Sequence, residues 1–415
     1  MRCLFVHQNF PGQYRHVVAA LRQDPRNEIV FITQKNENRM QGVRRLEYEP
    51  ARAVAKNIHH YVRETEGGVL NGQGVARLCL GLKNAGFTPD VMIGHAGWGE
   101  TLFLKDAYPD APLLAYFEFY YRLTGADVGF DPLYPVGVDD GPRLRMKNAI
   151  NLLALDSADW GQTPTAWQRS LFPEIYRPRI SLIHEGIDTA RVAPDPAARF
   201  EVGGHTLRPG DPVVTFVSRN LEPYRGFPQF MRALPAVLRQ RPDAQVLIAG
   251  GDSVSYGRPA PDGRTWRDVA MDEVGRDLDL SRVHFLGRIP YDRYLGLLQV
   301  SAVHVYLTYP FVLSWSMLEA MSAGCLVLGS ATPPVQEVIA DGENGLLTDF
   351  FDTDALGRRI LGILADPTGH AALRAAARRT VIDRFDLDTA CLPRHLELIA
   401  TLAAGAAPAP APTSR

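Results

Sequence analysis

Val213-Val214-Thr215-Phe216-Val217 runs straight into Ser218-Arg219-Asn220-Leu221-Glu222-Pro223-Tyr224-Arg225-Gly226. The first five residues are apolar or β-branched without a charge, the pattern of a parallel strand buried on both faces. They deliver two guanidinium groups and a glycine to the loop that follows. Open α/β sheets bind their ligands at that end of the strands. Further along, Ser314-Trp315-Ser316-Met317-Leu318-Glu319-Ala320-Met321 places one carboxylate inside a helix that begins at a Ser-rich turn. Ser314 or Ser316 can cap this helix, leaving N–H groups free to meet an anion. Two cations and a helix N-terminus suit a diphosphate. The plainer alternatives are a surface salt bridge from these arginines to Glu222, and a solvated helix glutamate at 319.

Working outward, the same alternation fills the chain. Apolar runs at 3–6, 29–32, 91–93, 113–117 and 180–183 read as strands in the first half. Helical patterns are expected at 14–22, 51–63, 69–85, 100–107 and 143–155. In the second half strands are expected at 213–217, 246–248, 283–286, 303–307 and 326–328. The helices there fall at 227–240, 266–275, 291–298, 314–323, 353–365, 371–385 and 387–402. Short apolar strands separated by helices imply α/β architecture with parallel sheets. The reading is two Rossmann-like, doubly wound domains facing each other across a cleft, at 1–190 and 213–385. Residues 191–212, with their Pro and Gly turns, read as a linker. Residues 386–402 read as a helix that can pack back on the first domain, and 403–415 as a disordered Ala-Pro tail.

Composition narrows the function classes. At 415 residues two cores are affordable, and a net charge of -2 offers no footprint for nucleic acid. Local basic groups (Arg44/Arg45, Arg52/Lys56, Arg143/Arg145/Lys147) read as solvated faces, with an anionic acceptor or a membrane surface as the rival. Cys3, Cys79, Cys325 and Cys391 are scattered, with no CxxC or His/Cys cluster, which argues against a disulfide framework or zinc site. The first apolar run is too short for a signal peptide, and none is long enough for a membrane helix. A cytoplasmic protein is expected, with peripheral contact at the inner membrane face compatible. Asp277-Leu278-Asp279 could pass for a metal-binding pair but precedes its strand, at the wrong sheet end, so no metal site is expected.

In the first half, Tyr116-Phe117-Glu118-Phe119-Tyr120-Tyr121-Arg122 is an aromatic run with one acid and one base. It can bind carbohydrate or form core. Glu118 is a candidate acceptor contact, and His16 on the first helix a weaker one.

Taken together, the Arg-x5-Arg-Gly loop, Val-His-Phe-Leu-Gly-Arg-Ile-Pro at 283–290 and Leu-Glu-Ala-Met-Ser-Ala-Gly-Cys-Leu-Val-Leu at 318–328 resemble the family-four (group 1) retaining glycosyltransferases of GT-B fold. Val335-Gln336-Glu337-Val338-Ile339, Asp341-Gly342-Glu343-Asn344-Gly345-Leu346-Leu347 and Ile183-His184-Glu185-Gly186-Ile187-Asp188 add to the likeness. The resemblance implies that Arg219 and Arg225 hold a donor diphosphate and that Glu319 binds the ribose hydroxyls. It puts the nucleobase against the backbone at Arg288 and Ile289, the helix start Ser314, Trp315 and Ser316 on the donor, and Gly12 near the donor phosphate or the acceptor. It places His95 near the reacting sugar, the plainer alternative being a loop histidine that caps the next helix, and Trp98 can stack on a sugar ring or simply pack. One departure stands out. The family usually carries a second Glu eight residues before the ribose-binding one, and here that position is Phe311.

The expected activity is transfer of a sugar, with retention, from a nucleoside-diphosphate sugar of UDP or GDP type to a hydroxyl of a glycan or glycolipid. No cofactor or metal is called for. The rivals are an epimerase or hydrolase acting on the nucleotide sugar alone, and a silent nucleotide-sugar-binding protein.

Overall fold

A computed structural model describes residues 1–366 and 369–410. The chain divides into two compact units, Met1–Gly186 with Asp388–Arg415, and Ile187–Leu387.

The first unit holds seven strands: β1 (Arg2–Val6), β2 (Glu28–Thr33), β3 (Arg44–Glu47), β4 (Val91–His95), β5 (Leu113–Tyr116), β6 (Trp160–Thr163) and β7 (Ile180–Leu182). They form one sheet in the order β3-β2-β1-β4-β5-β6-β7. Every pairing is parallel. β1, β2 and β4 are near-continuous apolar runs, so both faces must be covered. Alternate side chains of β1 divide between two cores. Leu4 and Val6 join Val75, Cys79 and Leu82 of the helix Arg63–Asn84 on one face. Cys3 and Phe5 meet Val17 and Val18 of the helix Arg15–Leu21, and Leu398 and Ile399 of the helix Leu392–Ala403, on the other. The order reverses between β1 and β4, which parts the loops after those strands and makes their carboxyl ends the natural binding crevice of this unit.

The second unit opens with an antiparallel hairpin, β8 (Phe200–Val202) and β9 (His205–Leu207). Its main sheet comprises β10 (Val213–Asn220), β11 (Gln245–Gly251), β12 (Val283–Gly287), β13 (Val303–Tyr306), β14 (Leu326–Ser330) and β15 (Leu346–Thr348). The order is β12-β11-β10-β13-β14-β15, again all parallel. Here the reversal falls between β10 and β13.

Several sequence expectations change. Residues 191–212 are not a free linker: Val192, Ala198, Phe200 and Leu207 are buried in the same core cluster as Leu295, Met317 and Val327. Of residues 51–63 only Arg63 is α-helical. A 3-10 turn at His60–Val62, capped by the His59 ring, leads into a helix that starts only at Arg63. Of 100–107 only Leu104–Ala107 is helical. Three short strands escaped the apolar pattern: β3 is charged and lies at the sheet edge, β6 reads Trp-Gly-Gln-Thr, and β15 is only three residues long. Ala403 closes the last helix rather than opening a tail, and 411–415 lie outside the described residues.

No helix among the described residues is long and apolar enough to cross a membrane. All four cysteines are buried, and none of them is in a disulfide. The basic groups are partly neutralised, as by Arg143–Asp140 and Lys147–Glu64.

Candidate functional site

β10 runs three residues past the apolar core, so Arg219 sits in its last turn of strand and Asn220 ends it. Arg219 is exposed. Its guanidinium has no hydrogen bond or ion pair among the described residues. The chain then makes a 3-10 turn, Pro223–Arg225, and enters the helix Phe227–Gln240 through Gly226 at φ 67°. A Cβ at Gly226 would lie 2.4 Å from Cβ of Leu307, so only glycine lets this turn rest against the end of β13.

That close approach buries Arg225. Its Nη1 donates to the Tyr306 hydroxyl at 3.2 Å, to Thr308 Oγ1 at 2.8 Å and to the Val312 carbonyl at 3.0 Å. The Tyr306 hydroxyl also accepts the Ser314 N–H at 2.8 Å. Ser314 is the N-cap of the helix Trp315–Ser322, its Oγ accepting the Ser316 N–H at 3.3 Å. One phenol therefore ties the arginine to the helix N-terminus. A permanent cation and the positive end of a helix are fixed together where β10 and β13 part, with Arg219 beside them in sequence and exposed. Trp315 is exposed at the same helix start.

Glu319 lies on this helix, half-buried, with both oxygens engaged. Tyr291 donates to Oε1 at 2.6 Å and Tyr294 to Oε2 at 2.8 Å. Burial, reinforced by the carboxylate, pushes both phenols upward, which keeps them protonated donors. The ring of Tyr291 lies under the Arg191 guanidinium at 4.8 Å. Arg288, exposed, donates to Asn220 Oδ1 at 3.2 Å. The Ile289 side chain packs on the core of this unit.

Glu222 is not a surface partner of the arginines. Fully buried, its carboxylate accepts the backbone N–H groups of Ser255, Tyr256 and Gly257 between 3.0 and 3.3 Å. It pins that loop so that Tyr256 faces the Arg225 guanidinium at 5.3 Å. Asp277 and Asp279 precede β12, and Asp279 is occupied by Ser281 and Arg282. No group of three or more His, Cys, Asp or Glu among the described residues could hold a metal ion.

In the first unit the loops after β1, β4 and β5 gather a second polar cluster. His7 Nδ1 accepts the Asn9 N–H at 2.8 Å, so the neutral ring carries its proton on Nε2, 2.5 Å from Gln13 Oε1. Gln13 Nε2 in turn donates to Glu118 Oε1 at 3.3 Å. Burial, then the nearby His95, pushes the His7 pKa down to about 3. His95 Nδ1 accepts the Gly97 N–H at 3.1 Å. Its Nε2 lies 3.6 Å from Glu118 Oε2 and is buried without a hydrogen bond. Trp98 stacks on His95 at 4.0 Å, which commits one face of the indole. Gly12, at φ 55°, is needed because a Cβ there would sit 2.7 Å from the His7 ring. His16 lies on the helix Arg15–Leu21, part-buried. In the aromatic run, Tyr116, Phe117 and Phe119 are core.

Two family models divide the chain between them. One, described as "Glycosyl transferase family 4 group", matches residues 25–192, and the other, "Glycosyl transferases group 1", matches 201–380. The chain belongs to the family 4, group 1 glycosyl transferases. A relative in this family is the GDP-mannose-dependent alpha-(1-6)-phosphatidylinositol monomannoside mannosyltransferase of Mycolicibacterium smegmatis. It is 29% identical over 54% of this chain and 57% of its own length. The chain spans about half the length of the curated relatives it matches. Among solved structures, sucrose-phosphate synthase from Thermosynechococcus elongatus superposes with a TM-score of 0.69 at 18% identity, over 98% of this chain and 100% of that one. Anabaena HepE, solved in complex with UDP, gives 0.65 at 16% over 97% and 100%. At these identities the likeness is one of fold, the two-domain GT-B class.

Within this family the Phe311 position acquires a physical description. Phe311 is buried against Tyr224 (5.4 Å) and Tyr256 (5.0 Å), so an aromatic wedge backs the Arg225 loop at the position where the resemblance implied a glutamate. Sequence reasoning missed Tyr306, Tyr291 and Tyr294, which bind the predicted Arg225 and Glu319, and missed His7 and Gln13, which hold Glu118. His7 could have been found, because it ends an apolar strand just where a Rossmann-like sheet presents its ligands. The tyrosines carry no such signal.

Proposed function

We propose that this chain transfers a sugar from a nucleoside-diphosphate sugar to a hydroxyl of a glycan or glycolipid, with retention at the anomeric carbon. The observation that carries this reading is the lock of Arg225 to Tyr306 and, through it, to the N-cap Ser314. Transfer breaks the bond from C1 to phosphate oxygen and leaves a growing negative charge on the diphosphate. Cations fixed beforehand stabilise that charge without reorganising at the moment of reaction. Arg225 and Arg219 would take the diphosphate oxygens, the helix start at Ser314–Ser316 a phosphate, and Glu319 the ribose hydroxyls once Tyr291 and Tyr294 share it. The two guanidinium groups and the helix supply charge that a divalent cation supplies elsewhere, which supports a metal-independent reaction. The acceptor oxygen bonds to C1 on the face the phosphate leaves, and its proton passes to the departing phosphate oxygen, so no protein nucleophile is required. UDP and GDP donors both fit this scheme. The name of the mycobacterial relative supports GDP-mannose and a lipid-borne acceptor as the first pair to try.

The test is turnover with UDP-glucose and GDP-mannose against glycoside acceptors in the presence of EDTA. Proton NMR of the fresh product reads its anomeric configuration. The expected result is undiminished nucleotide release with an α-linked product from either α-linked donor. An inverted product, or activity abolished by EDTA and restored by a divalent metal, contradicts the reading.

A further inference from the structure

Beside Arg225 the second unit carries a chain of aromatic rings that the diphosphate reading leaves unused. Tyr224, Tyr256, Tyr309, Phe311 and Phe350 follow the carboxyl ends of β10, β11, β13 and β15. Ring centroids run Tyr256–Phe311 at 5.0 Å, Phe311–Tyr224 at 5.4 Å, Tyr224–Tyr309 at 4.6 Å and Tyr309–Phe350 at 5.3 Å. Tyr309, Phe311 and Phe350 are buried, while Tyr256 at the end of the chain is 40% exposed. A single exposed aromatic is ordinary, but this one is held in place. Glu222 Oε2 accepts the Tyr256 N–H at 3.1 Å and the Gly257 N–H at 3.0 Å, and Ser255 Oγ accepts from Asn220 Nδ2 at 2.6 Å. Gly257 packs so closely that a Cβ there would lie 3.2 Å from the Tyr224 ring. Buried Phe311 backs the phenol ring of Tyr256, the Arg225 guanidinium lies 5.3 Å from its centroid, and the rest of the ring meets solvent. An aromatic face fixed before any ligand arrives costs little further ordering on binding.

We propose that Tyr256 is the platform on which the transferred sugar of the donor stacks, with the C–H face of its pyranose ring against the phenol ring. The proposal rests on the transferase reading for the diphosphate at Arg225 and adds how the sugar beyond it is held. One bridging oxygen joins C1 to the phosphate, so a phosphate gripped at Arg225 brings the sugar to the neighbouring side chains. With Phe311 behind Tyr256, the wall offered to the sugar is apolar. It gains from C–H surface taken out of water rather than from a hydroxyl bonded to a carboxylate. The donor sugar favoured here is a pyranose with one hydroxyl-poor face. Glu222 is a positioning residue: fully buried, it holds the loop that carries Tyr256 and does not itself meet the sugar.

The test is proton NMR of GDP-mannose, UDP-glucose and UDP-galactose titrated with the full chain, beside calorimetric affinities for each and for GDP and UDP alone. The expected result is a saturable upfield movement of sugar C–H signals, caused by the phenol ring current, with at least one of the three. Tyr256→Leu is expected to abolish that movement and to weaken the nucleotide sugar roughly tenfold more than its nucleotide. Tyr256→Phe, which keeps the ring, should preserve both. A role for Tyr256 only in supporting Arg225 would weaken nucleotide and nucleotide sugar alike, and that result overturns the platform. Upfield movement that survives Tyr256→Leu overturns it too, as does movement with a free methyl glycoside but with none of the nucleotide sugars. If nucleotides bind while no sugar signal moves, the platform fails and the transferase reading stands. If neither nucleotides nor nucleotide sugars bind, both fail.

Discussion

Replacing Arg219 by Ala is expected to lower the rate of sugar transfer by roughly 10²–10³-fold, the usual cost of one fixed donor on a developing anion. Folding stability should stay within about 0.5 kcal/mol, because Arg219 is exposed and unpartnered among the described residues. Arg225→Ala should cost at least as much activity and stability as well. It strips Nη1 from Tyr306, Thr308 and Val312, leaving polar groups in a buried site, on the order of 2–4 kcal/mol. Arg225→Lys should recover part of the stability and little of the rate, because an ammonium cannot reproduce the planar fork. Steady-state rates set beside urea melts separate these outcomes. Full activity in Arg219→Ala, or unchanged stability in Arg225→Ala, would contradict the arrangement described above.

The second large effect is acid sensitivity. His7 and His395 in the first unit and His304 in the second are buried, and burial pushes their pKa values down to about 3, 4 and 3. The unfolded chain takes up protons at these rings near the ordinary imidazole value of about 6.5. The folded chain does not until the pH is far lower. The unfolded state therefore binds more protons throughout that window, and stability falls as pH falls. Each ring contributes about 1.4 kcal/mol per pH unit below about 6.5, until its own folded pKa is reached. Both units should lose stability over this window, with His284 in the second unit, also lowered chiefly by burial, adding to His304. Glu100 acts in the opposite sense. Burial raises its pKa, so it favours the folded state at low pH and loses that contribution as pH rises. Hydrogen exchange of β1 and β10 amides between pH 7 and pH 5 reads the two units separately. Equal protection at both pH values would refute the burial of neutral imidazoles as a stability determinant.

How much of this was legible beforehand follows from what carried the information. β1, β4, β10 and β13 were readable because a doubly covered strand must be apolar at nearly every position. β6 was not, since its buried Gln162 and Thr163 look like a turn in sequence. Residues 191–212 misled because Pro and Gly mark turns without saying whether the turns are buried. Phe200 and Leu207 alone held the signal that they are. Arg219, Arg225 and Glu319 were picked by charge at strand and helix ends. Sequence gave no means of foreseeing that three tyrosines, on β13 and on the helix Tyr291–Gln299, would hold two of them. Those contacts depend on how elements distant in sequence pack, and a phenol reads equally well as core. Glu222 shows the converse. Its charge beside two arginines suggested a salt bridge, yet the β11 loop brings three N–H groups to it instead.

The most direct test of the central claim is calorimetric binding of UDP, GDP, ADP and dTDP to the wild type and to Arg219→Ala, with EDTA present. The account predicts that one or more of these nucleotides binds the wild type, and at a hundredfold excess over its dissociation constant stabilises it by about 2.7 kcal/mol. It predicts that Arg219→Ala loses most of that affinity while remaining folded. Binding of equal strength in both proteins, or to neither, would contradict a diphosphate site at the carboxyl ends of β10 and β13.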